Sequence, residues 1–145
     1  GRMPFDVDGT GKAIAPPMIF AVGLNYVAHA KEMNKPIPEQ PIVFGKAPNT
    51  LTASGSPIIL PPEEPFVDYE GELAVILGPE PCRSVHRDDA LKFVLGYCIA
   101  NDVSGRSWQF ERPNGGQWLR SKCFDTFLPL GPRMVPAKGI DPQDL

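Results

Sequence analysis

The sequence predicts an α+β domain that is mostly β, and three observations carry that expectation. Short apolar runs rich in strand formers recur at 18–22, 42–44, 66–77 and 94–100, each bounded by turn residues. Helical spacing is confined to brief segments at 26–33, at 88–93 and just after Ser104. Eighteen prolines and 14 glycines in 145 residues make turns frequent and keep helices short. With 42% hydrophobic content the chain buries one modest core, so one domain over 18–145 is expected behind an N-terminal arm, 1–17.

The arm is rich in Gly, Pro and Asp and shows no sustained period. Met18-Ile19-Phe20-Ala21-Val22 is continuously apolar and stopped by Gly23, which predicts a strand buried on both faces. Asn25 is placed to cap the helix over 26–33, and Asn34-Lys35-Pro36 ends it. On that helix His29 and Glu32 are three apart and therefore neighbours. A carboxylate beside a histidine fixes its tautomer and makes it a better base, although the same spacing also describes an ordinary surface pair. Ile42-Val43-Phe44 forms a second strand leading to Lys46, and 57–60 a third, before Pro61-Pro62-Glu63-Glu64-Pro65 breaks regular pairing.

The stretch 66–77 carries the chemistry. With a period of two, Asp68, Glu70 and Glu72 share one face, and Val67, Tyr69, Leu73, Val75 and Leu77 the other. Residues two apart on a strand lie about 6.6 Å apart, near enough for two carboxylates to bend toward one cation. The other reading is a row of acids on the wet face of an edge strand. Gly71 marks a position open to close approach.

Beyond the turn at 78–81, Asp88 is placed to cap a helix to about 93, with His86 in an exposed loop. The strand over 94–100 delivers Asn101 and Asp102 at its end, where a carboxylate is placed to join the first two. Ser104 is placed to cap a turn with Arg106 and Gln109 three apart on one side. Arg grips a carboxylate through two parallel donors, which suits an oxo-acid ligand; a solvated surface pair is the alternative. Lys122 sits in the aromatic segment 118–127, either to neutralise a developing enolate or to snorkel over Phe124 or Trp118.

A net charge of −3 leaves no electrostatic footprint for nucleic acid as a general partner. A metal-dependent nuclease is further disfavoured at Ala74, where such sites place a lysine. Cys82, Cys98 and Cys123 are odd in number and widely spaced, with no disulfide framework, which fits a reducing, cytoplasmic setting. No apolar run is long enough to cross a bilayer, so no membrane partner is expected.

Taken together, Asp68-Tyr69-Glu70-Gly71-Glu72-Leu73-Ala74-Val75, Gly96-Tyr97 with Ala100-Asn101-Asp102-Val103-Ser104, Arg106 with Trp108-Gln109, and Lys122-Cys123-Phe124-Asp125-Thr126-Phe127 with Leu130-Gly131-Pro132 resemble the fumarylacetoacetate hydrolase family. Val22-Gly23-Leu24-Asn25-Tyr26 with His29 and Glu32 resembles its entry loop and lid helix. The resemblance implies a mixed β-roll with short flanking helices, a homodimer, and Mg²⁺ or Mn²⁺ on Glu70, Glu72 and Asp102. It implies that Arg106, Gln109 and Lys122 hold the oxo-acid end of the substrate, with Lys46 in the same pocket, and that His29 and Glu32 activate water. The activity implied is hydrolytic carbon–carbon cleavage of acylpyruvate-like or other 2-oxo or 1,3-dioxo acids through a metal-bound enolate. Decarboxylation or isomerisation (tautomerisation) of oxo-dicarboxylic acids on the same site is the alternative, and a non-catalytic metal-binding fragment a further one. Gly105 and Ser107 stand where the family more often shows Ala and Asp. Family domains usually continue beyond the position of Leu145, so the domain is expected to be incomplete at its C-terminus.

Overall fold

The computed structural model describes residues 16–145 apart from 79, 112 and 114, so the arm, save residues 16 and 17, lies outside the described residues. β1 (Ile19–Gly23) and β2 (Ile42–Lys46) pair antiparallel with Ile19 opposite Lys46, and α1 (Val27–Glu32) lies in the connection between them. The apolar run at 18–22 is not buried on both faces. Burial alternates along β1, and Phe20 is 71% exposed, because β1 has β2 as its only strand partner among the described residues. Tyr26, not Asn25, occupies the cap position of α1 and makes no side-chain cap bond; Ala30 is the helix's buried residue.

A 3-10 turn at Pro48–Thr50 leads into β3 (Leu51–Thr52), which runs parallel to β8 (Leu128–Pro129). The expected strand at 57–60 is absent, and the short pairing falls to 51–52 instead. Prolines at 57, 61 and 62 remove ladder donors, and the amide of Ile59 donates to the Thr126 hydroxyl, 2.8 Å. The acidic stretch is two strands: β4 (Val67–Asp68) pairs antiparallel with β7 (Ser104–Gly105), and β5 (Gly71–Leu77) with β6 (Val94–Asn101). Between β4 and β5 the ladder lapses, and the Glu70 amide donates to the side chain of Asn101 at 3.0 Å. The turn before β6 is a 3-10 helix, Arg87–Phe93, capped by His86, whose Nδ1 accepts from the Asp88 amide; Asp88 is not the cap. α2 (Trp118–Lys122) follows a π-helical turn at Ser107–Glu111, and β9 (Val135–Pro136) completes the sheet β5-β6-β9.

The described residues are therefore α+β, in small sheets with few and short helices. No helix among them is long and apolar enough to cross a membrane. The core runs under β5 and β6, where Cys98 and Met134 pack with Ala74, Ile76 and Leu130, and Leu51, Ala100 and Leu128 pack beside them. The acid-bearing face of β5 is thus the inward one: Glu72, Ala74 and Ile76 face the small partners Ala100, Cys98 and Gly96, while Val75 and Leu77 on the other face are about half exposed. Burial pushes the Cys98 thiol up to about 11. A groove of about 940 Å³ lies along this inner face, with Lys46, Glu72 and Asp102 among its lining residues.

Gly96 lets β9 approach β6. A Cβ there would collide with the carbonyl oxygen of Val135 and lie 2.7 Å from Cγ of Met134. Because backbone cannot yield as a side-chain tip does, Gly96→Ala is expected to cost about 1–3 kcal/mol in urea unfolding, the range for overpacking. An unchanged midpoint and slope would show that β9 moves aside freely.

Candidate functional site

Three segments converge on one buried anion. The end of β6 delivers Asp102, 5% exposed, whose backbone amide donates to the Glu70 carbonyl at 2.8 Å, so the two acids are tied by main chain before their side chains meet. Lys122 ends α2 and is 1% exposed; its Nζ donates to Oε2 of Glu70 at 2.9 Å and to Oδ2 of Asp102 at 2.7 Å, and lies 5.2 Å from the Phe44 ring centroid. It does not snorkel. Lys46 ends β2 and is equally buried, with Nζ 2.6 Å from Oδ1 of Asp102 and 3.3 Å from the Val103 carbonyl. Asp102 therefore lies between two ammonium groups, which offsets the cost of burying all three charges. Burial lowers the Lys46 pKa and the Asp102 charge opposes it.

Arg106 flanks this cluster, with Nη1 2.7 Å from Oε1 of Glu70 and 2.7 Å from Oε1 of Gln109. Its Nε and Nη2 both reach Oδ2 of Asp68, at 3.1 and 2.8 Å, and that hydrogen bonding pulls the Asp68 carboxyl below its ordinary range. Asp68 thus serves the arginine. Ser104 is a strand residue, not a helix cap, and its Oγ lies 3.2 Å from Oε1 of Glu70 and 2.9 Å from the Asp102 carbonyl. Burial pushes the Glu72 carboxyl up, the charges of Glu70 and Asp102 add to the shift, and a hydrogen bond from Tyr26 opposes it. The same Tyr26 hydroxyl accepts from the Leu73 amide at 3.3 Å, which pins the start of α1 to β5.

Of the residues singled out from sequence, the structure joins Glu70, Asp102, Lys122, Lys46, Arg106 and Gln109 in one network, with Glu72 in their field. His29 and Glu32 stand apart. They face each other on α1 at 3.9 Å, half and largely exposed, and among the described residues no hydrogen bond or ion pair links them to the acids. Ser104, Asn101 and Tyr26 were missed as partners, although all three fall inside the motifs quoted for the family. Glu64 was missed with no signal beyond its place in a proline-rich break.

Oxygen donors alone, from three carboxylates that repel one another at Glu72, suit a hard divalent cation. As placed, no three His, Cys, Asp or Glu side chains among the described residues are grouped closely enough to hold one, and the ammonium of Lys122 lies between Glu70 and Asp102.

Comparison with known proteins gives a consistent result. Residues 18–145 match the family model described as fumarylacetoacetate (FAA) hydrolase C-terminal. A human mitochondrial oxaloacetate tautomerase is 44% identical over 131 residues, 90% of this chain and 41% of that protein. Among solved structures, a 5-carboxymethyl-2-hydroxymuconate delta-isomerase from Mycobacterium smegmatis superposes with a TM-score of 0.76 at 44% identity, covering 90% of this chain and 50% of the other. A 2-hydroxyhepta-2,4-diene-1,7-dioate isomerase from Mycobacterium marinum gives 0.74 at 37% identity, with 89% and 45% covered. The chain spans about half the length of the relatives it matches.

Proposed function

This chain belongs to the fumarylacetoacetate hydrolase family, and on that premise we propose that it carries the site of a metal-dependent enzyme that isomerises or tautomerises small oxo-dicarboxylic acids through an enolate. The observation that carries the reading is the buried ammonium of Lys122 held between Glu70 and Asp102, with the Arg106–Gln109 pair beside it. The relatives named as a tautomerase and as isomerases support this chemistry, while a structure named as a fumarylacetoacetate hydrolase, from Exiguobacterium antarcticum, keeps hydrolysis as the second reading.

Glu70, Glu72 and Asp102 would hold Mg²⁺ or Mn²⁺ only with the Lys122 ammonium displaced from between Glu70 and Asp102, and the cation would then supply a Lewis acid for the paired oxygens of an oxo acid. The chain's own residues do the rest. Arg106, braced by Asp68 and Gln109, would meet the substrate carboxylate through the Nη1 that now faces Glu70. A proton leaves the carbon beside the carbonyl, the C–H electrons form the C=C bond, and the carbonyl π electrons move onto oxygen, where Lys122 answers the new charge. Return of the proton to oxygen or to another carbon completes an isomerisation with no net loss of atoms. His29, oriented by Glu32, is the proposed carrier of that proton. The groove of about 940 Å³ beside Glu72 and Asp102 accepts the carbon skeleton.

Hydrolytic cleavage of an acylpyruvate-like acid is the second reading, favoured by the His29–Glu32 pair, which would take a proton from an attacking water. The β-roll and the homodimer belong to the same proposal. The exposed apolar side chains Phe20, Val75 and Ile99 suit burial against a second copy.

Calorimetric titration of the metal-free protein with Mg²⁺ and Mn²⁺, with and without oxalate as an enolate mimic, tests the reading beside Glu70→Ala. Cation binding that oxalate tightens and the variant loses is expected. Folded protein that binds neither cation would sink the reading that this chain alone forms the site.

A further inference from the structure

Glu64 is 3% exposed in the proline-rich break before β4, and among the described residues its carboxylate meets only backbone amides. Oε1 accepts from the amides of Phe66 at 2.9 Å and Ser107 at 3.4 Å, and Oε2 from that of Trp108 at 3.4 Å. The Phe66 carbonyl in turn accepts from the Arg106 amide at 2.8 Å. The first amides of a helical turn have no partner within it, and a buried one left unpaired is costly. Glu64 supplies that partner for the turn that carries Gln109 and follows directly on Arg106.

The fit is close. A Cβ on Gly105 would lie 2.7 Å from Oε2 of Glu64 and 2.9 Å from its Cγ, so this acid occupies the space that an alanine at 105 would need. The glycine and the acid are one device: the small residue admits the carboxylate, and the carboxylate fixes the turn. We infer that Glu64, seated against Gly105, is a positioning residue that sets the Arg106–Gln109 pair against Glu70 and Asp68 for oxo-acid binding. The inference rests on the reading of that pair as the substrate's carboxylate clamp.

The test compares wild type, Glu64→Ala, the shape-preserving Glu64→Gln, Gly105→Ala and the Glu64→Ala/Gly105→Ala double variant. Backbone hydrogen exchange and oxalate affinity in the presence of Mg²⁺ are both read. In Glu64→Ala, exchange at Ser107 and Trp108 is expected to rise about tenfold and oxalate to bind about tenfold more weakly, the scale of one lost buried hydrogen bond. Exchange across β5 and β6 should stay as in wild type. Glu64→Gln, which turns an N–H₂ toward one amide, falls between. Gly105→Ala reproduces the loss by displacing the acid, and the double variant is no worse than either single one. Unchanged exchange at Ser107 and Trp108, unchanged oxalate affinity despite faster exchange, or additive losses in the double variant would each overturn the inference. If wild type itself fails to bind oxalate, the proposed function falls, while the exchange data across the five proteins still decide whether Glu64 and Gly105 hold the turn.

Discussion

Asp102→Ala is expected to remove about 3–5 kcal/mol of folding stability at neutral pH, the penalty for breaking a buried ion pair from one side. Lys122 retains Glu70, but among the described residues Lys46 keeps only the Val103 carbonyl, 3.3 Å away, for an ammonium that is 2% exposed. With whole-domain stabilities of about 5–15 kcal/mol, such a loss takes much of the reserve. Its pH dependence identifies the cause. Burial already lowers the Lys46 pKa below 10.5, and removal of the opposing Asp102 charge lowers it further. The unfolded chain then binds a proton on Lys46 that the folded chain does not, so stability rises as pH rises toward the ordinary lysine value. Urea unfolding of the variant across the alkaline range should show that recovery, with a steeper slope than wild type. A loss independent of pH would place the damage in packing, not in the stranded ammonium.

Much of this arrangement was legible in the sequence, and the rest fails for physical reasons. The strand over 94–100 and its delivery of Asp102 follow from a run of strand formers, interrupted at Gly96, that pairs antiparallel with β5. The helix bearing His29 and Glu32 followed from spacing between clear breakers. The acidic face of 66–77 is legible as a face, but whether it is the wet one is not. Periodicity separates two faces without saying which is inward, and only the small residues opposite on β6 make the side of Glu72 the buried one. Periodicity also ran through 69–70 as if one strand continued, because a change of strand partner leaves the apolar pattern intact.

Long-range charge pairing was the least legible. Lys46 and Asp102 are 56 residues apart, and Lys122 and Glu70 are 52 apart, so no local rule joins them. Spacing alone leaves Lys122 open between a site and a surface role, and the resemblance places both lysines in the pocket without naming the acids they meet. Glu64 is the extreme case, an acid among prolines, with two of its three backbone-amide partners more than 40 residues away. The exposed apolar side of β1 is the converse: a run that predicts burial on both faces meets only one layer.

Lys122→Met should separate structure from chemistry at this site. Methionine keeps the length and apolar stem but removes the charge between Glu70 and Asp102, so two buried carboxylates lose their shared donor. Lys46 still answers Asp102, and Arg106 still answers Glu70, which holds the stability loss near the lower end of the buried-pair range, about 3 kcal/mol. The proposed catalysis has no such reserve. If Lys122 meets charge that develops only as the enolate forms, kcat and kcat/KM for keto–enol exchange of oxaloacetate should fall together by about 10²–10³, the scale for one preorganised donor. The assay follows enol absorbance at a temperature where the variant is folded. A rise in KM with kcat unchanged would make Lys122 a ground-state anchor for the acid. Full activity in a destabilised variant would leave it a structural counter-ion and move the enolate's stabilisation elsewhere in the site. Lys122→Arg is no substitute control, since a planar guanidinium cannot take the place of a compact ammonium in so closed a space.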